Sequence, residues 1–197
     1  MYELICIGAS WGGLHAVSRL LSDIPGELQQ AIAIAQHRHP QSPGGGLPEL
    51  LALQIARPVL DVEDKMPIQR NHVYVAPPDY HLLVEGDSFA LSVDERVQFA
   101  RPSIDVLFES AADAYRERVI GVILTGANED GAQGLRRIKE VGGVAIIQDP
   151  AEAIRRAMPD AAIAATAADA ILPLSEIGKF LYGLCGDPAK MRQGTHA

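Results

Sequence analysis

Short apolar runs, each passing through a glycine- or proline-marked loop into a stretch of helical period, recur along this chain and restrict what it can fold into. The runs "LICIG", "AIAIAQ", "VIGVILT" and "VAIIQ" are too short for helices and too continuous for strands with one wet face. Strands of that kind alternate with helices where crossovers cover both faces of a parallel sheet. The fold expected is therefore α/β: a doubly wound, mostly parallel sheet in a Rossmann-like three-layer arrangement.

Strands are expected over residues 4–8, 31–36, 72–76, 81–85, 89–92, 119–125 and 144–148. Helices are expected over 13–21, 47–55, 104–116, 131–141, 160–165 and 174–184. The stretch 72–99 breaks the rhythm, because "PPDY" and "EGDS" separate three short runs with turn residues rather than helices. It reads as a meander or hairpin, an antiparallel insertion in the parallel sheet.

A chain of 197 residues, 48% hydrophobic, supports one sizeable core. One domain is expected over 1–185, followed by a loose polar tail over 186–197. Seventeen Lys and Arg against 25 Asp and Glu leave a net charge of −8 with no basic run, so nucleic acid is not an expected partner. Cys6 and Cys185 make neither a disulfide framework nor a metal motif and read as reduced thiols; no metal and no cofactor is expected. Tyr2 and Glu3 stand where a signal peptide would be basic, and no run of about 18 apolar residues could span a bilayer. The expected location is the cytoplasm, without membrane insertion.

In such sheets ligands gather outside the carboxyl ends of the strands. The loop after the first strand reads Gly8-Ala9-Ser10-Trp11-Gly12, a G-x-S-x-G between strand and helix. Ser10 is either a nucleophile exposed on a sharp turn or the cap of the helix that follows. A dinucleotide-binding turn of an oxidoreductase would want glycine at Ser10 and an acid after the second strand, which instead ends in Gln36-His37.

His37 lies one residue past a strand in step with the first, placed to act as a general base near neutral pH. His39 competes for that role, and Arg38 with His39 could instead charge the rim. The third loop, Thr125 to Gly131, has the glycine spacing of a P-loop but lacks the Lys-Ser/Thr that would follow. Asp130 either caps the next helix or orients a histidine. The order Ser, His, Asp departs from the Ser, Asp, His of α/β-hydrolases.

"IGASWGG", "AQHRHP", "RPSIDVLFESAA" and "GVILTGANEDGAQGLRRIKEVGG", with "VYVAPPDYHLLV" and "QDPAEAIRRAMPDAAI", resemble in order the motifs of one family. It is the catalytic domain of CheB-type chemotaxis protein-glutamate methylesterases, and the resemblance runs from about residue 3 to 182. It implies a serine hydrolase that demethylates glutamate methyl esters on the cytoplasmic helices of chemoreceptors, releasing methanol, with some members also deamidating glutamine. Ser10 would be the nucleophile, His37 the base and Asp130 its orienting acid. The backbone N–H groups of Trp11 and Ala127 would hold the oxyanion, and Arg38 and Arg101 would attract the acidic receptor helix.

The family often has a small residue where Trp11 stands and Met-Gly where this chain has Ala127-Asn128. Its best-known members also carry a receiver domain before the catalytic one. Without it, constitutive activity or activation by a separate phosphorylated receiver protein is expected. A receptor-binding module without turnover is the alternative.

Overall fold

The computed structural model describes residues 1–38 and 46–186. Its strands are β1 (Leu4–Ala9), β2 (Ala31–Gln36), β3 (Val59–Asp61), β4 (Val73–Val75), β5 (His81–Glu85), β6 (Ser88–Ser92), β7 (Val119–Ile123), β8 (Val144–Gln148) and β9 (Ala170–Leu172). Its helices are α1 (Gly13–Asp23), α2 (Leu47–Ala52), α3 (Ile104–Tyr115), α4 (Ala132–Glu140), α5 (Ala157–Ala165) and α6 (Leu174–Cys185).

Seven strands form one parallel sheet in the order β3-β4-β2-β1-β7-β8-β9. β1, β2, β7 and β8 are buried along their whole length, which explains why they read as unbroken apolar runs. Successive residues of β1 serve opposite layers. Leu4 and Cys6 pack with Phe108, Leu135 and Met158 of α3, α4 and α5. Ile5 and Ile7 pack with Leu20, Leu51 and Ile177 of α1, α2 and α6.

The antiparallel insertion is smaller than expected. Only β5 and β6 make a hairpin, which lies on α3 through Leu82, Val84 and Phe89. Residues 73–75, expected in the meander, instead form β4 and pair in parallel with β2. β3 and β9 were not expected at all. Each is a three-residue edge element with half-exposed side chains, too short to show a period. α5 begins at Ala157 rather than 160 because Pro159 falls in its first turn, where no amide is needed. α2 ends at Ala52, three residues short of its expected end. His39 and residues 187–197 of the expected tail lie outside the described residues.

Strand register positions the loops. Ala9 pairs with Gln36, so Ser10 and His37 are each the next residue beyond a matched pair. Gly8 pairs with Ile123 on the other side, bringing the loop that follows β7 to the same edge.

Candidate active site

Ser10, His37 and Asp130, drawn from loops after three adjacent strands, form a continuous chain of polar contacts. His37 Nδ1 is 3.1 Å from Ser10 Oγ, and His37 Nε2 is 2.6 Å from Asp130 Oδ2. A carboxylate only accepts, so Nε2 carries the hydrogen and Nδ1 is left as the acceptor facing the serine hydroxyl.

Ser10 is not a helix cap. Gly12 holds the N-cap position of α1 with a φ of 81°, and no side chain caps that end. Ser10 is fixed through its backbone: its N–H donates to Thr125 O at 3.0 Å, and its carbonyl accepts from Gly13 N–H and from Gln36 Nε2. Gly8 allows the close approach of α3, since a Cβ there would lie 2.3 Å from Ile104 Cγ2. Both glycines of the G-x-S-x-G pattern thus meet a steric demand of the turn.

Asp130 does cap a helix, though not the one that follows it. It is fully buried at the N-terminus of α3, where Oδ2 accepts from Ile104 N–H at 2.7 Å. Its Oδ1 accepts from Asp105 N–H and from the hydroxyl of Ser103 at 2.8 Å. Burial pushes its pKa upward, but the bonds from His37 and from the amides of Asp105 and Ile104 outweigh it, and the carboxyl stays below the ordinary range. The group therefore remains a carboxylate at neutral pH. Neighbouring Asp105 lacks as many donors. Burial raises it to about 6, against the opposing bond from Gly134 N–H and with the help of the Asp130 charge.

The Trp11 and Ala127 amides donate to no acceptor among the described residues, and both stand at the mouth of the Ser10 turn and the loop after β7. The Trp11 ring is 63% exposed and lies 5.6 Å from the Arg155 guanidinium, a cation–π contact at the rim. A groove of about 570 Å³ reaches Ser10 and Gln36 between α1 and α2, with Leu14, Leu50 and Leu53 on its walls. Trp11 is not part of its lining.

Arg38 follows His37 directly and is half-buried. The Arg101 guanidinium is engaged within the fold, donating to Asp79 Oδ1 at 2.9 Å and to the carbonyls of Val93 and Asp94. It clamps the loop before α3. Burial raises the Cys6 thiol, and raises Cys185 to about 11, so neither supplies a thiolate near neutrality. Among the described residues no cluster of His, Cys, Asp and Glu is arranged to hold a metal.

A family model described as CheB methylesterase matches residues 5–181. The chain belongs to the CheB methylesterase family. It is 47% identical, over 93% of its length, to a Leptospira interrogans protein provisionally named protein-glutamate methylesterase/protein-glutamine glutaminase, and the match covers 95% of that protein. It is 40% identical over 91% of its length to the protein-glutamate methylesterase FrzG of Myxococcus xanthus, of which it spans 54%. Among solved structures, the CheB methylesterase catalytic domain of Thermotoga maritima matches with a TM-score of 0.87 at 29% identity, covering 93% of this chain and 99% of that one. The doubly wound fold is therefore the fold of CheB methylesterase catalytic domains.

In this chain of the CheB methylesterase family, several residues that hold Ser10, His37 and Asp130 in place were not apparent from sequence. Gln36 Nε2 donates both to Ser10 O at 2.8 Å and to His37 O at 3.1 Å, joining the two residues through their backbones. The Thr125 hydroxyl donates to Trp11 O at 2.9 Å and accepts from Arg155 N–H at 2.8 Å, while Gln148 Oε1 accepts from Thr125 N–H. His81 accepts from Ser103 N–H and faces Glu95 O, supporting the serine that supports Asp130. A signal existed for three of them: Gln36 and Gln148 are polar residues closing otherwise apolar strands and Thr125 follows a third, yet all are buried.

Proposed function

We propose that this chain is a protein-glutamate methylesterase acting on the methylated glutamates of chemoreceptor cytoplasmic helices. The observation that carries the reading is the contact chain from Ser10 Oγ through His37 to the buried Asp130 carboxylate. The reaction runs in the cytoplasm, where those helices lie. No described helix is long and apolar enough to cross a membrane.

Ser10 Oγ attacks the ester carbonyl carbon as its proton passes to His37 Nδ1, and Asp130 stabilises the imidazolium through Nε2–H. The Trp11 and Ala127 amides donate to the oxyanion. Collapse breaks the bond to the methoxy oxygen, which takes the proton from Nδ1 and leaves as methanol. Water, deprotonated by Nδ1, then attacks the acyl carbon, and Ser10 leaves with that proton, freeing glutamate. The second part of the Leptospira relative's name supports the same acyl chemistry on glutamine, with ammonia as leaving group. Arg38 contributes positive charge at the rim toward an acidic receptor surface.

Methanol release from a methylated chemoreceptor fragment tests this reading. Ser10→Ala is expected to lose on the order of 10⁴ to 10⁶ in rate. Release that does not depend on Ser10, or none from the unaltered protein, would overturn it.

A further inference from the structure

The loop between β6 and α3 presents an apolar ring to solvent in a conformation aromatic residues seldom adopt. Val97 N–H donates to Ala100 O at 3.2 Å and Ala100 N–H to Val97 O at 2.8 Å, closing a two-residue turn. Both residues inside it have positive φ, 50° at Gln98 and 63° at Phe99, as a type I′ turn requires. Glycine and asparagine suit that geometry; phenylalanine does not. Yet Phe99 occupies the second position with 95% of its surface exposed. The ring adds strain and no core packing, so folding gives no reason for it.

The turn is also firmly held. Arg101 ties its base to Asp79 and to the carbonyls of Val93 and Asp94, and Arg96 adds a second bond to Asp79 at 3.2 Å. At its tip, Asn128 Nδ2 donates to Gln98 O at 3.5 Å, and Asn128 lies two residues before the triad's Asp130. The chain then runs from Arg101 to Ser103, whose hydroxyl donates to Asp130. The turn that carries Phe99 is thus joined to the loop of Asp130 from both ends.

We infer that Phe99 is an anchor for the protein substrate, its ring seating against an apolar side chain of the helical segment that presents the ester to Ser10. The inference rests on the methylesterase reading and adds a surface by which the receptor helix is recognised. Strain kept beside a catalytic site points to function there, and a rigid aromatic ring is the kind of side chain that dominates protein recognition. Its position selects the occupant. The Phe99 turn leads directly into α3, which packs on one face of the sheet, whereas the groove with Leu14, Leu50 and Leu53 opens between α1 and α2, which pack on the other. Ser10 lines that groove, and Asp130 is tied through Ser103 and the Asn128 loop to the turn that carries Phe99, so a helix presenting an ester to Ser10 has an apolar surface on each side to use.

Phe99→Asn and Phe99→Gly remove the ring while fitting the positive φ, so the melting temperature holds or rises and loss of fold cannot mimic the effect. In a Ser10→Ala background, which binds without turnover, a methylated chemoreceptor cytoplasmic fragment is expected to bind about tenfold more weakly when either change is added. In the protein with Ser10 intact, methanol release from the same fragment should show the loss mainly in KM, and Phe99→Trp should restore it. Equal affinity with and without the ring overturns the inference, as does absence of binding by the Ser10→Ala parent. A change of oligomeric state on sedimentation with receptor affinity unaltered would assign the ring to self-association and overturn it too. Failure of the methylesterase reading has a different signature: the fragment binds, but the unaltered protein releases no methanol.

Discussion

His37 faces Ser10 with Nδ1, at 3.1 Å, and gives Nε2 to Asp130. The neutral ring must then be the Nε2–H tautomer, with its basic lone pair aimed at the Ser10 hydroxyl. Nitrogen chemical shifts of labelled His37 are expected to report that tautomer in the wild type and a mixture in Asp130→Asn. The same substitution should lower kcat by about 10⁴, the loss seen when a triad aspartate becomes an amide in serine proteases.

Asp130 should also reveal itself in stability. Its carboxylate accepts from His37, Ser103, Ile104 and Asp105, and an amide nitrogen in place of one oxygen would face donors instead. Asp130→Asn is expected to lose about 1–3 kcal/mol at neutral pH. Because the folded-state pKa lies below the ordinary carboxylate range, this contribution is complete above that range and disappears as pH falls through the depressed value. Chemical denaturation of both proteins from pH 7 down to 3 should show the gap narrowing.

Asp105 has the opposite sign. With its carboxyl raised to about 6, the folded chain binds a proton that the unfolded chain releases near 4, so this group lowers stability as pH climbs between those values. Relative to wild type, Asp105→Asn should gain on the order of 1–2 kcal/mol between pH 4 and 7, whatever its constant offset. Thermal unfolding at both pH values measures the difference. A gap that does not change with pH would show that Asp105 titrates normally.

Thr125→Val tests the junction behind Ser10. The change is nearly isosteric but leaves Trp11 O and Arg155 N–H without the hydroxyl that joins them. A cost of about 1–3 kcal/mol is expected from the stranded groups, with kcat falling as the Ser10 turn loosens. Thr125→Ser should recover most of both, measured by denaturant titration and methanol release.

What could be read from the sequence followed burial and spacing. β1, β2, β7 and β8 announce themselves because both faces are covered; Ser10 and His37 are the next residues after β1 and β2, and Asp130 lies in the loop that follows β7. β3 and β9 could not be read, since a three-residue edge strand has no period and is half wet. Asp130 was seen as a cap or a triad member, but that it serves both at once, capping α3 rather than α4, depends on packing between elements 25 residues apart in sequence. Arg101 reads in sequence as a cation beside a motif loop; its engagement with Asp79 and two carbonyls is visible only once the loop is folded.

The matched register of β1 and β2 has a wider implication. Neighbouring strands are held about 4.8 Å apart by their hydrogen-bond ladder. Because Ser10 and His37 each follow a member of the pair Ala9 and Gln36, that ladder, rather than any loop, sets the backbone spacing of the two residues. The surrounding surfaces are thus free to diverge: a lineage or an engineer could exchange the 93–100 turn or rebuild α2 to greet a different protein, and the chemistry at the centre would stay in tune.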